Sequence, residues 1–221
     1  RYDQLISHRL PPELMNIYDS FKSQNIDSIT MSMHRNTALN MLNARYLIFD
    51  PQQEPLINPF ALGNAWFVEQ YRFVENADAE IEALETLYPE NEAVIDKRYE
   101  NILGELNIQT DSAASIVLSN YTPNILTYKT KARSEQLAVF SEVFYANGWN
   151  AYIDGELTPH FCANWLLRSM IIPAGEHEIV FRFEPTGYYT SRIIATASSA
   201  ILILLLIGTI IGSFAYKPKE K

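Results

Sequence analysis

The sequence is short of the residues that build cross-linked or metal-dependent proteins. It holds one cysteine, Cys162, so an internal disulfide framework is excluded. That thiol stands beside Phe161 in an apolar stretch and reads as a buried structural residue, not a nucleophile. Basic residues are also scarce: 17 Lys and Arg stand against 26 Asp and Glu, a formal net charge of -9. Phosphate backbones are bound by clustered Lys and Arg, so nucleic acid is excluded as a partner. The four histidines, His8, His34, His160 and His177, share no H-x-x-H or H-E-x-x-H spacing, so no metal site is predicted. Nucleophile-elbow, P-loop and dinucleotide-binding patterns are missing too. No cofactor is expected, and no residue is assigned a catalytic role. Internal repeats and low-complexity tracts are likewise absent.

Apolar residues, by contrast, are plentiful. From Ile193 to Tyr216 no side chain is charged. At about 1.5 Å per residue such a helix reaches roughly 36 Å, enough to cross a hydrocarbon core of about 30 Å. Only a helix satisfies its own backbone in lipid, so Ile193, Leu204 and Tyr216 mark the start, middle and end of a predicted transmembrane helix. Lys217, Lys219 and Lys221 follow the run, whereas Arg192 alone precedes it. This asymmetry places the C-terminus in the cytoplasm and everything before Arg192 outside. Tyr188, Tyr189, Phe214 and Tyr216 fit the two interfacial aromatic belts. The chain starts at Arg1 without an initiator Met, a basic n-region or an apolar h-region. The expectation is therefore a C-terminal piece of a longer membrane protein.

Ahead of the tail, the first third reads as mixed helix and strand. In PPELMNIYDSF, Pro11 and Pro12 suit a helix start, and Leu14, Ile17, Tyr18 and Phe21 recur at helical spacing. TALNML predicts a short helix, RYLIF a strand, and NAWFVEQYRFV a single longer strand. In NADAEIEALETLYP, Asn76 is the predicted N-cap and Ala77, Ile81, Leu84 and Tyr88 the apolar stripe. Asp78, Glu80, Glu82 and Glu85 are read as a solvated face. EAVID follows as a strand.

From about Ser112 the period changes to two, with seven short strand-like runs from SIVLSNY to HEIVFRF. Asp154-Gly155 is a two-residue hairpin signal, because a type I′ turn needs positive φ at both positions. The predicted fold class is α+β. Residues 1–110 form a mixed α/β extracytoplasmic region with a small α/β layer over about 28–100, 111–187 an antiparallel, jelly-roll-like β-sandwich, 192–216 the transmembrane helix, and 217–221 a cytoplasmic tail.

Trp149, Tyr152, Asp154 and Trp165 cluster around the hairpin in sequence and are the candidate glycan contacts, because aromatic faces stack on sugar rings while Asp binds hydroxyls. The same rings serve equally as core, and that reading is preferred. Asn120-Tyr121-Thr122 and Asp111-Ser112-Ala113 resemble glycosylation acceptors.

Four blocks in order, LNMLNARYLIF, NPFALGNAWFVEQYRFVENADAEIEAL, VFSEVFYANGWNAYIDG and IPAGEHEIVFRFEP, resemble the C-terminal region of the YfhO family of bacterial membrane proteins. The resemblance implies a multi-pass inner-membrane protein similar to GT-C glycosyltransferases. Such proteins take sugar from a polyprenyl-phosphate donor to glycosylate envelope polymers. It implies membrane lipid as a partner, with the sugar donor and envelope glycan engaged through an N-terminal part. The family's catalytic carboxylates lie in an N-terminal outer loop, so none is carried over here. The alternative is a membrane-anchored glycan-binding or structural sandwich.

Overall fold

The computed structural model describes residues 1–23, 25–104 and 106–215. Tyr216 and the lysines at 217, 219 and 221, on which the predicted orientation rests, lie outside the described residues.

Four helices open the chain: α1 (Tyr2–His8), α2 (Leu10–Lys22), α3 (Ile26–His34) and α4 (Thr37–Met41). A ribbon of β1 (Tyr46–Leu47) and β2 (Leu56–Ile57) follows. Next come β3 (Ala65–Val68), β4 (Gln70–Val74), α5 (Ala77–Ala83) and β5 (Glu92–Asp96), where β4 and β5 pair in parallel across α5. A short 3-10 turn and α6 (Glu100–Leu103) lead into eight antiparallel strands. These are β6 (Ser115–Thr122), β7 (Ile125–Ala132), β8 (Gln136–Val143), β9 (Trp149–Ile153), β10 (Glu156–Thr158), β11 (Phe161–Ala163), β12 (Leu167–Ile172) and β13 (Gly175–Phe183). The chain ends in α7 (Thr186–Ala215).

The antiparallel strands form two sheets, ordered β10-β9-β13-β7-β6 and β11-β12-β8-β3. Their facing sides share a core of Leu126, Tyr128, Phe140, Met170, Ile179 and Phe181. Tyr128, Phe140 and Phe181 meet edge to face, with centroids 4.9, 4.9 and 6.1 Å apart. Such pairs add about 0.5–1.5 kcal/mol each beyond area burial.

The four-stranded sheet is covered on its other side as well. Leu137, Val139, Phe161, Ala163 and Leu167 face a second core with Leu84 and Ala93–Ile95 of the α/β layer. A strand buried on both faces needs no polar alternation, which explains the unbroken apolar run of β8. Arg1–Phe183 is one compact unit, and Glu184 onward is a second.

Three local expectations need correction. NAWFVEQYRFV is two strands in different sheets, because the amides of Glu69 and Gln70 both donate to Asn91 O, at 2.8 and 3.1 Å, and turn the chain between them. In α2, Ile17 is buried but Tyr18 is 51% and Phe21 36% exposed. The inward face instead carries Glu13, whose carboxylate accepts from the amides of Ala38 and Leu39 and so caps α4. Finally, Glu80 is fully buried, away from any solvated face, and pairs with Arg1 at 2.9 Å. Asn76 caps α5 as expected, accepting from the amide of Ala79 at 3.0 Å. Tyr88 lies beyond that helix and is exposed.

In the second unit, α7 contains an apolar stretch, Gly187–Gly212, with a mean hydropathy of 2.5 and no residue buried. It is long and apolar enough to cross a membrane, and it includes Ile193 and Leu204.

Candidate functional site

The predicted hairpin forms. Ile153 pairs with Glu156, leaving Asp154 and Gly155 as the two loop residues, with φ of 51° and 88°. Both values are positive, as a type I′ turn demands. The Asp154 carboxylate then ties the turn to the neighbouring strand. Its Oδ1 accepts from the Glu178 amide at 2.8 Å, and its Oδ2 lies 2.6 Å from Nδ1 of His177. The other ring nitrogen of His177 faces the carbonyl of Ala174 at 3.2 Å. A carbonyl only accepts, so the doubly protonated ring alone satisfies both contacts. The Asp154 hydrogen bond accordingly raises the His177 pKa, and His177 lowers that of Asp154. Gly175 makes room for this ring, since a Cβ there would stand 2.9 Å from His177 Nε2. Among the described residues no nucleophile or second carboxylate is seen bonded to this pair, and the pair fastens β9–β10 onto β13.

The four candidate glycan contacts are not brought together. Side chains alternate along a strand, so Trp149 and Tyr152 lie on opposite faces of β9. Trp149 packs against the sandwich core under the guanidinium of Arg168, 4.0 Å from its ring centroid, and beside Phe183. Tyr152, on the outer face, has the guanidinium of Arg182 over its ring at 5.0 Å. Trp165 belongs to the turn between β11 and β12 in the other sheet. It is 4% exposed, lies under Arg1 at 4.6 Å, and donates from Nε1 to Arg1 O. Asp154 remains exposed at the hairpin.

Two buried ionic clusters escaped the sequence reading. In one, Arg1 Nη1 reaches Glu80 at 2.9 Å, Cys162 Sγ at 3.2 Å and the carbonyl of Trp165 at 2.7 Å. Burial and the Glu80 charge push the Cys162 thiol up to about 12, so it is inert at neutral pH. In the other, Arg168 is buried and donates from Nε to Val143 O. Burial, with that arginine's charge, depresses His160 to about 4. The spacing of these residues carries no local motif, and only the meeting of segments distant in the chain unites them.

A more open arrangement lies where α3, α4 and the turn after α5 meet. His34 Nε2 stands 3.2 Å from Oε1 of Glu90, with Phe60 and Tyr88 beside the imidazole. Among the described residues, no group of three His, Cys, Asp or Glu side chains is placed to hold a metal ion.

No protein-family model matches the chain, and no curated protein matches it.

Proposed function

We propose that this chain is the extracytoplasmic C-terminal domain and last membrane span of a multi-pass protein resembling YfhO. In this reading it takes part in polyprenyl-phosphate-sugar-dependent glycosylation of bacterial envelope polymers. The observation that carries the reading is the sequence of parts. A large sandwich-based unit ends at Phe183, and a helix begins at Thr186 whose apolar stretch, Gly187–Gly212, contains no buried residue. A helix so apolar and so exposed finds its natural solvent in lipid. The four sequence blocks that resemble YfhO all precede that helix, the last of them ending at Pro185.

The domain supports a positioning role and not the chemistry of transfer. Glycosyl transfer needs a carboxylate or equivalent base free at the reacting centre. Here the buried carboxylates of Glu13 and Glu80 are committed to backbone amides and Arg1, and Asp154 to His177. The test is deletion of the coding segment in its native cell. Sugar transfer from a polyprenyl-phosphate donor onto the envelope polymer is expected to stop, and unchanged glycosylation would overturn the reading.

A further inference from the structure

We propose that the cavity between His34 and Glu90 is a binding site for one neutral sugar ring. The inference rests on the geometry of residues 34–90 alone and stands whether or not the parent protein transfers sugar.

The cavity has a volume of about 220 Å³ and is lined by the apolar Pro59, Phe60, Ala61 and Leu62 together with the polar His34 and Glu90. Pockets for drug-sized ligands start at about 300 Å³, so this one suits a single ring, not a chain. Phe60 lies 4.8 Å from the His34 ring, centroid to centroid, and Tyr88 lies 6.0 Å from it. Apolar side chains beside a carboxylate and an imidazole match a pyranose, which has apolar C–H faces and a rim of hydroxyls.

The charges select the class of ligand. Glu90 has the His34 ring 3.2 Å away, so a cationic ligand would have to displace that partner. An anion would meet the same carboxylate and be repelled. A hydroxyl carries no charge to be repelled, and by coming between the two side chains it replaces their contact with both a donation to the carboxylate and an acceptance from the imidazole N–H.

The frame is rigid before any ligand arrives. The Asn40 side chain donates to the carbonyls of Met33 and His34, both at 3.1 Å, which fixes the end of α3. Its oxygen accepts from Asn58 Nδ2 at 2.9 Å, and its backbone carbonyl accepts from the Leu62 amide at 3.1 Å. Across the cavity, Thr37 Oγ1 donates to Leu87 O at 2.9 Å and Trp66 Nε1 to Pro89 O at 2.7 Å, pinning the turn that carries Glu90. Asn40, Asn58 and Thr37 are all buried. Buried polar groups held this way specify one geometry, and a preformed site loses little entropy on binding.

The experiment is saturation-transfer NMR on the full chain in a detergent without a sugar headgroup. The probes are D-glucose, D-galactose and N-acetyl-D-glucosamine. A ligand of about a dozen non-hydrogen atoms supports millimolar affinity, so at least one probe is expected to saturate below about 0.1 M. Glu90→Gln is expected to weaken that binding about tenfold or more, because hydrogen bonds to a charged group are the strong ones. Glu90 is partly exposed, so the variant keeps its fold, and His34→Ala gives a second, independent reduction. Lys131→Gln, on a distant strand, is expected to bind as the parent does. Three results would each overturn the proposal: no saturable signal from any of the sugars, binding that both cavity variants leave unchanged, or saturable Glu90-dependent binding of tetramethylammonium without sugar binding.

Discussion

At the residue scale, the structure turns on polar side chains that reach across the sequence to satisfy buried groups. Glu13 caps a helix 24 residues away from it in the chain, counted to Thr37, and Glu80 accepts from the amide of Trp165 at 3.0 Å while holding Arg1. Each is desolvated, which raises its pKa, and each is drawn back by the donors it serves. The pair with a measurable pH signature is Asp154 and His177. His177 is raised above the ordinary 6.5, so its contribution to stability is full below that value and is lost as pH rises through its folded pKa. Asp154 is lowered below the ordinary 3.8, so its contribution is present above that value and is lost as pH falls through its folded pKa. The difference in melting temperature between the parent and His177→Gln is therefore expected to be widest between pH 3.8 and 6.5. It should shrink above that window. A constant difference from acid to alkaline pH would show that the ring stabilises by packing alone.

At the element scale, the hairpin between β9 and β10 is the clearest case of local chemistry fixing structure. Gly155 sits at a φ of +88° with nothing within 4 Å of where a Cβ would stand, so any penalty there is backbone strain and not collision. Gly155→Val is expected to cost about 1–2 kcal/mol, because a β-branched residue strains in the left-handed region. For a unit of this size that lowers the melting temperature of the full chain by roughly 2–8 °C. An unchanged midpoint would contradict the turn geometry. Such short-range signals were legible: the Asp154-Gly155 turn, the Asn76 cap, the short helix at Thr37–Met41 and the run of antiparallel strands all formed. What was hidden depends on contacts between distant segments. The bend at Glu69 follows from one carbonyl, Asn91 O, that receives two amides. The buried Glu13 and Glu80 look, in sequence, like any other acids on amphipathic helices. The aromatics around the hairpin share a stretch of chain, yet β9 alternation and a change of sheet scatter them. The His34–Glu90 cavity joins residues 56 positions apart, which no spacing rule could have paired.

At the scale of the whole molecule, the two units differ in where their apolar side chains lie. Arg1–Phe183 keeps its large apolar side chains mainly between two sheets and an α/β layer, whereas Gly187–Gly212 exposes apolar surface along its whole length. The first withdraws apolar surface from water within its own cores, and the second is long and apolar enough to cross a membrane. The central claim is that the sandwich-bearing unit lies outside the cell and the C-terminus inside. The natural Cys162 is 1% exposed and its thiol is pushed up to about 12, so it gives little background in thiol labelling. Single cysteines placed at Glu135, an exposed position ahead of β8, and at Lys219, outside the described residues, then report the two sides of the membrane. In intact cells a membrane-impermeant maleimide is expected to label Glu135→Cys and to spare Lys219→Cys until the cells are opened. Labelling of Lys219→Cys with protection of Glu135→Cys would contradict the orientation and, with it, the proposed part in envelope glycosylation.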